Sequence, residues 1–350
     1  MAGSHSTQAA YKLDMTLSFL HEHLMTEQVA DSIHTKLPEL KAMYGVGQSG
    51  YDEGEVESSG RLRKVRSGNS LDIEIEFEEN DTFAAYSRYG VINTKPQEGF
   101  TRAFVDWAQY AASTTIDGYS ERINGGGPES LFPILRSKTR QTVKSFKKGI
   151  AQDLWLQDNS VVADSLILHG IPYYVGTAPT SGTCANIDRS SADNLFFRNR
   201  YNGTSQAVTA TAPSFSQRGV EDLFDMILEA SPGGDEGPDV FFMSDTVLGY
   251  VFKRMSNAIM YQPGGSGEIG LGKIMLHGRP GIHTKHCPAG RIYGLSLDTW
   301  YVAVHPDANF TPRNFQQPWN QDARTALTLL QTGIICENPR WNMVYSGIVA

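Results

Sequence analysis

The chain has 350 residues, of which 40% are hydrophobic, a composition typical of globular proteins and long enough for a large core. A formal net charge of −8 argues against a protein that grips nucleic acid over a broad basic face. The amino terminus lacks a basic segment followed by an apolar core, and no apolar run approaches the ~20 residues of a membrane helix. We therefore expect a soluble, intracellular protein that is not exported and has no membrane partner.

The cysteines do not indicate a disulfide framework or a zinc ribbon. Cys184, Cys287 and Cys336 are widely spaced, odd in number and form no CxxC motif. This pattern predicts buried or free thiols in a reducing cytoplasm.

Residues 1–57 are predicted to form an amino-terminal arm. Apolar side chains between residues 15 and 37 fit one side of a short helix. The glycines and acidic residues that follow, up to residue 57, predict extended and mobile chain.

Residues 58–81 are predicted to form a β-hairpin. The first limb is basic, Ser67–Ser70 has turn chemistry, and the second limb alternates strictly between apolar and acidic side chains. Basic residues opposite acidic ones would form favourable cross-strand pairs. Because an isolated hairpin is marginal in water, its apolar face requires a cover, from another subunit or from its own domain. The charged residues assigned to this loop are Arg61, Arg63, Lys64, Arg66, Asp72, Glu74, Glu76 and Glu78.

The segment from Phe100 to Ile116 is ambiguous, because its apolar residues fit either a helix or a strand. The next stretch, residues 128–157, is not ambiguous. Its apolar residues recur at three or four positions, which predicts a long helix, beginning at Pro128 or near Pro133. These apolar residues are Leu131, Leu135, Val143, Phe146, Ile150 and Leu154.

Residues 158–310 are predicted to form an α/β domain. A helix is expected over 217–230 and another after Asp245, which could cap it. Short apolar runs predict buried strands, and the last part of the chain predicts two more. The predicted strands are 239–244, 292–297, 300–305, 326–337 and 340–349.

The segment Gly267–Lys273 matches the spacing of a phosphate-binding loop. However, Ile274 stands where a magnesium-binding Ser or Thr is required, and no strand clearly precedes the segment. A flexible loop is the favoured interpretation, with a nucleotide-binding enzyme as the alternative.

A second cluster contains soft metal ligands. His283, His286 and Cys287 lie close together with His277 nearby, a spacing that could hold zinc, but a fourth ligand is not evident. No Ser–His–Asp constellation or G-x-S-x-G motif is present. We therefore predict no catalytic residues, no metal and no cofactor.

A series of short segments follows one another in a fixed order along residues 82–349. These are Phe100–Tyr110, Ile116–Glu121, a long helix ending near Leu154, Leu168–Ile171, Asn186–Ser190, Phe197–Asn199, Pro238–Asp239, Cys287–Gly290, Tyr293–Leu295, Asn338–Arg340 and Gly347–Ile348. The series resembles the major capsid proteins of tailed bacteriophages with the Hong Kong 97-type fold.

The resemblance implies an α+β chain with a peripheral domain (a long spine helix plus a sheet), an axial α/β domain, an extended loop and an amino-terminal arm. The implied divisions are 1–57 for the arm, 58–95 for the extended hairpin loop, 96–160 for the peripheral domain with the spine helix 128–157, 161–305 for the axial domain, and 306–350 for the return to the peripheral domain.

It also implies a structural protein that self-assembles into hexamers and pentamers and so forms an icosahedral phage head around double-stranded DNA. Such a protein is located in the virion capsid and is assembled in the host cytoplasm, with procapsid maturation. The charged loop residues would then make intersubunit contacts. Expected partners are other copies, a separate scaffolding protein, a portal and decoration proteins, with DNA only by proximity.

Two alternatives remain at this point. A bacterial nanocompartment shell would use the same fold around enzymes instead of DNA, and an enzyme would use the Gly267–Lys273 loop. Lys64 is the only lysine of the predicted hairpin, but no motif identifies an asparagine partner. Covalent crosslinking is therefore not predicted.

Overall fold

The structure is a computed structural model. It describes residues 38–44, 62–66, 68–80, 82–92, 94, 99–123, 128–156, 167–201, 215–231, 237–251, 274–276 and 278–348. The helix predicted within residues 15–37, Arg61 and the Gly267–Lys273 loop lie outside these ranges.

The structure contains both helices and strands, as predicted for an α+β protein. The helices are α1 (Pro38–Tyr44), α2 (Gly118–Ile123), α3 (Pro128–Leu154), α4 (Ile171–Tyr174) and α5 (Phe215–Ala230), and residues 245–251 are also helical. The strands are β1 (Leu62–Lys64), β2 (Ser70–Glu76), β3 (Phe100–Asp106), β4 (Ala108–Asp117), β5 (Thr183–Cys184), β6 (Ile187–Asp188), β7 (Arg200–Tyr201), β8 (Val240–Met243), β9 (Ile274–Leu276), β10 (Arg279–His283), β11 (Ile292–Leu295), β12 (Trp300–Val304), β13 (Thr311–Pro312), β14 (Ala323–Cys336) and β15 (Met343–Tyr345).

The first sheet is built around β14. Strand β4 pairs with it antiparallel from Ala323 to Thr332, and β12 pairs antiparallel from Thr332 to Cys336. Strand β13 also pairs with β14, and β1 joins β12 in parallel. Burial alternates early in β14 and becomes continuous from Thr332, because both faces of the sheet are covered there.

The second sheet has the strand order β7-β15-β11-β8-β10-β9. Its central strands β8 and β11 are buried throughout, as their unbroken apolar character predicts. Helix α5 packs against β7 and β15. It buries Leu223, Met226, Ile227 and Ala230, whose three- and four-residue spacing places them on one helix face.

The predicted long helix is confirmed as α3, which packs against β4. It begins at Pro128 and continues through Pro133, although a proline inside a helix removes one backbone hydrogen bond. Phe146, Ile150 and Leu154 recur every fourth residue and are buried.

Gly170, just before α4, lies against the carboxyl end of α3. A Cβ atom built at this position would be 2.4 Å from the carbonyl oxygen of Leu154 and 2.7 Å from that of Asp153. Backbone atoms cannot move aside as a flexible side chain can. We expect Gly170→Ala to lower the free energy of unfolding by about 2–3 kcal/mol, measured by urea denaturation.

Gly149 provides a control of opposite sign. It lies inside α3, and a Cβ atom at this position would meet nothing within 4 Å. Since alanine favours the helical backbone over glycine, Gly149→Ala should stabilise the chain by about 0.5–1 kcal/mol. Equal effects of the two substitutions would contradict the packing at Gly170.

The predicted pairing of the hairpin over residues 58–81 is wrong. Strand β1 pairs with β12, and β2 pairs antiparallel with β3, in the register Leu71 to Val105. Between β1 and β2 the chain leaves the first sheet through Gly68, whose φ of 121° suits glycine. The Trp107 indole donates a hydrogen bond to the Gly68 carbonyl at 3.2 Å and so fixes the backbone where the chain leaves the sheet. The ambiguous segment from Phe100 to Ile116 forms strands β3 and β4.

The apolar face of the β2–β3 ribbon is covered by its own chain. Leu71, Ile73 and Ile75 are buried there, as the strict alternation of β2 predicts. The Phe104 amide donates to the Ala185 carbonyl at 3.0 Å, which brings the 183–188 segment against the ribbon. The cover found for this face is therefore another part of the same chain, and the neighbouring subunit is not needed for it.

Several other predictions are confirmed. Helix α5 and strands β8, β11, β12, β14 and β15 occupy predicted segments, and the helix predicted after Asp245 is present over 245–251. All three cysteines are buried and free, and burial raises the pKa of Cys184 to about 11. In the ranges that the structure describes, no helix is both long and apolar enough to cross a membrane.

Candidate assembly surface

The β2–β3 ribbon carries a long connection at its far end. Pairing continues past the strands, because the Phe77 amide donates to the Gly99 carbonyl at 2.9 Å. We call the connection, residues 78–98, the tip. Within it, Thr82 donates its amide to Asn80 Oδ1 at 2.8 Å, and Gly90 donates to the Ser87 carbonyl at 2.8 Å. These local bonds define two turns in the tip.

The tip presents large apolar side chains to solvent. Their exposed fractions are 97% for Phe83, 71% for Tyr86, 92% for Tyr89, 97% for Val91 and 59% for Ile92. Single exposed apolar residues are common on soluble proteins, but a contiguous segment of them marks an interaction site. The tip is therefore the strongest candidate for a contact surface in the described chain.

The outward face of the ribbon combines acids and aromatic rings. Glu74 on β2 lies opposite Arg102 on β3, with 3.2 Å between a carboxylate oxygen and a guanidinium nitrogen. On the same face, Glu76 lies opposite Phe100, which is 71% exposed. The ribbon thus extends the exposed surface of the tip towards the body of the subunit.

The Arg102–Glu74 ion pair should contribute little to folding, since both side chains are mostly exposed. We expect Arg102→Ala to change the free energy of unfolding by less than about 1 kcal/mol. Urea denaturation measures this, and a loss of several kcal/mol would mean that the arginine packs as part of the core.

The seven charged residues predicted for the loop that lie within the described ranges do not form one cluster. Arg63 pairs with Glu337 at 3.0 Å and lies over the Tyr301 ring, 3.9 Å from its centre. Burial raises the pKa of Tyr301 to about 12, and the Arg63 charge opposes this rise. Thus the basic limb lies along the first sheet, separate from the acidic strand β2. The remaining described members are exposed, namely Lys64, Arg66, Asp72, Glu74, Glu76 and Glu78.

A second exposed apolar group lies where β4 ends and β14 begins. Trp319 is 97% exposed, Tyr119 67% and Ile123 64%. The loop before β14 is tied to α2, because Arg122 and Asp322 form an ion pair at 2.6 Å. We call this group the sheet end. The cavity beside it, about 220 Å³, is below the ~300–1,000 Å³ usual for small-molecule sites.

The side chains whose spacing could hold zinc do not form a group of metal ligands among the described residues. His283 Nε2 lies 4.0 Å from Asp245 Oδ1, and both side chains are exposed. Cys287 is buried, which raises the pKa of its thiol, whereas His286 is half-buried. Among the residues with described positions, no three His, Cys, Asp or Glu side chains could share a metal ion. His277 lies outside the described residues.

The apolar side chains of the tip were not among the contact residues predicted from the sequence, although the extended loop implied by the resemblance, 58–95, includes most of the tip. The segment from Thr82 to Ile92 has neither helical nor strand periodicity, so its apolar residues give no secondary-structure signal. A usable signal existed nonetheless. Five large apolar residues lie within ten positions between two alternating strands, although loops are usually polar.

No family model and no curated protein matches the chain. The fold, in contrast, is shared with solved capsid structures. The cyanophage A-1(L) capsid subunit is 14% identical, with a TM-score of 0.63 over 92% of this chain and 95% of that one. The capsid of a native GTA particle is 14% identical, with a TM-score of 0.52 over 87% and 96%. The satellite phage P4 procapsid is 9% identical, with a TM-score of 0.52 over 93% and 91%. The chain therefore has the Hong Kong 97-type capsid fold, as its segment order predicts.

Proposed function

We propose that this chain is a major capsid protein whose copies assemble, as hexamers and pentamers, into an icosahedral shell around double-stranded DNA. The observation that carries the proposal is the exposed apolar tip on an extended ribbon. A side chain such as Phe83 or Val91, almost fully exposed in the single subunit, gains free energy only when another molecule covers it. The capsid fold supports another copy as that molecule.

The magnitude of this contact favours assembly through many copies. Burying five large apolar side chains would contribute roughly 8–15 kcal/mol. Association costs an estimated ~4–15 kcal/mol in lost translational and rotational freedom. The free energy gained from a single tip contact is therefore close to the free energy that association costs. In a closed shell every copy contacts several neighbours. The translational and rotational freedom that one subunit loses is then offset by several contacts. Free subunits and closed shells should therefore dominate over small intermediates.

The proposal assigns a role to each part of the fold. The first sheet with α3 would be the peripheral domain, and the second sheet with α5 the axial domain around the capsomer centre. The tip, the charged residues of the ribbon and β1, and the sheet end would make contacts between copies. One sequence in both hexamers and pentamers needs contacts that adjust, and the tip, whose apolar side chains lie beyond the covered part of the ribbon, can supply them.

The proposed assembly takes place in the host cytoplasm with a separate scaffolding protein, and the shell matures from a procapsid. A portal and decoration proteins would join it, and the packaged DNA would lie near the acidic subunits without being gripped by them. The formal net charge of −8 is consistent with this arrangement. The virion capsid is then the proposed location.

Electron microscopy of the purified full chain, with and without a co-expressed scaffolding candidate, tests the proposal. We expect closed shells, or rings of five and six subunits. A uniform monomer under both conditions would overturn it. The contents of shells recovered from cells give a second readout. Nuclease-protected DNA supports a phage head, whereas an enclosed enzyme would show a nanocompartment instead.

A further inference from the structure

Helix α1 is a short element that packs onto the first sheet at β12, the strand with which β1 also pairs. Its seven residues contact β12, and two of them, Leu40 and Met43, are 0% and 1% exposed. Both side chains belong to the main core cluster, together with Phe146 of α3. The helix therefore closes part of the core, although it is separated from β1 by seventeen residues, 45–61.

The residue beside Leu40 is anomalous. Glu39 is 0% exposed, and neither of its carboxylate oxygens has a hydrogen-bond partner. Cys287 is an electrostatic neighbour, because burial raises the pKa of that thiol, the charge of Arg291 opposes the rise and the charge of Glu39 adds to it. A neutral thiol does not compensate the charge of a carboxylate. Among the described residues, none forms a hydrogen bond with the buried Glu39 carboxylate.

Two opposing contributions determine the free energy of docking α1 onto β12. Burying Leu40 and Met43 favours the docked helix. Removing the Glu39 carboxylate from water opposes docking, because water solvates the group in the undocked chain and no hydrogen bond from the described residues replaces that solvation in the docked one. A seven-residue helix has almost no stability of its own, so undocking and unfolding of α1 are one event.

We infer that α1 is a releasable latch, which detaches from β12 and unfolds while the remainder of the subunit stays folded. Release frees residues 38–44 from the body and uncovers the part of the core beneath Leu40 and Met43. The latch is a property of the single subunit, and it does not depend on the proposed function.

Hydrogen–deuterium exchange of the full-length monomer measures the opening directly. Amides of α1 should exchange at least ~100-fold faster than those of β12, since local opening requires less free energy than global unfolding. Lys41 supplies a second readout, because trypsin can cut after it only when α1 opens. The cleavage rate at this site should follow the exchange rate.

Three variants separate the two contributions. Glu39→Met keeps the length and helix propensity of the side chain without its charge, and should slow both exchange and cleavage at least ~10-fold. Leu40→Ala removes an apolar anchor and should speed them. Glu221→Met, an exposed glutamate on α5, is the matched control and should change neither.

Two results would overturn the inference. Protection of α1 equal to that of β12 would show that the helix opens only when the whole subunit unfolds. Faster exchange in Glu39→Met, with the circular dichroism spectrum of the folded chain retained, would show that the carboxylate favours docking. Because these measurements use monomers, they remain decisive whether or not the chain forms shells.

Discussion

A chain in which the five exposed apolar side chains of the tip are changed to serine is expected to stay folded and to form no shells. The substitutions are Phe83→Ser, Tyr86→Ser, Tyr89→Ser, Val91→Ser and Ile92→Ser. They remove the roughly 8–15 kcal/mol of apolar burial proposed for each contact, which is comparable to the association cost of ~4–15 kcal/mol, so nothing is left to offset that cost. Sedimentation velocity and negative-stain microscopy measure the loss of shells.

The subunit itself should be unaffected, because these side chains are already exposed in the single chain. Its urea midpoint is expected to match that of the unmodified protein. The matched control changes Leu195 and Leu228 to serine, which are 59% and 60% exposed and lie outside the ribbon. We expect this control to assemble. Normal shells from the tip variant would show that the tip is not an assembly contact.

The elements predicted correctly from the sequence are those whose signal is local. Helix α3 repeats its apolar residues at helical spacing, and β2 alternates strictly, so each specifies its own structure. Strands β8 and β12 are short apolar runs that could be buried only as strands in a sheet with both faces covered. The alternation of β2 also identified which face would be buried.

The prediction of strand pairing failed where the partner strand is distant in sequence. Strand β1 has three residues and its partner β12 lies more than 230 positions away, in a parallel arrangement that no turn signal announces. The nearer strand β2 was the natural partner by sequence distance. Strand β2 instead pairs with β3. This pairing places Ala103 and Val105 of β3 on the same buried face as the apolar residues of β2. Register was thus decided by burial in three dimensions.

The candidate site was predicted only in part. Acidic residues of β2 lie on the exposed ribbon, as expected, whereas the basic residues of β1 lie along the first sheet. Charge alternation is visible in a sequence, because it follows the strand period. The exposure of Phe83 or Trp319 is not visible, since an apolar residue in a loop is equally consistent with burial under a neighbouring segment.

Asn342→Leu is expected to cause the largest loss of stability among single substitutions proposed for this chain. Asn342 is fully buried where the chain passes from β14 to β15, that is, from the first sheet to the second. Its Oδ1 accepts from the Ser296 amide at 3.0 Å and from the Trp300 indole at 2.8 Å. Its amide group donates to the Asn338 carbonyl at 2.9 Å and to Thr299 Oγ1 at 3.2 Å.

These bonds join the β11–β12 and β14–β15 connections, two of the places where the chain crosses between the sheets. Leucine has a similar volume but leaves the Ser296 amide and the Trp300 indole buried without an acceptor. At about 1–3 kcal/mol for each unsatisfied group, the free energy of unfolding should fall by about 4 kcal/mol. Urea denaturation followed by tryptophan fluorescence measures the change, because Trp300 lies in the affected contact.

Two further variants test the reason for this loss. Asn314→Leu changes an exposed asparagine and should alter stability by less than about 0.5 kcal/mol. Asn342→Asp keeps the acceptor for Ser296 and Trp300 but turns a second oxygen towards the Asn338 carbonyl, so it should also be strongly destabilising. If Asn342→Leu lost less than about 1 kcal/mol, water or a shifted backbone would be satisfying the freed groups, and the two sheets would not depend on this side chain for their junction.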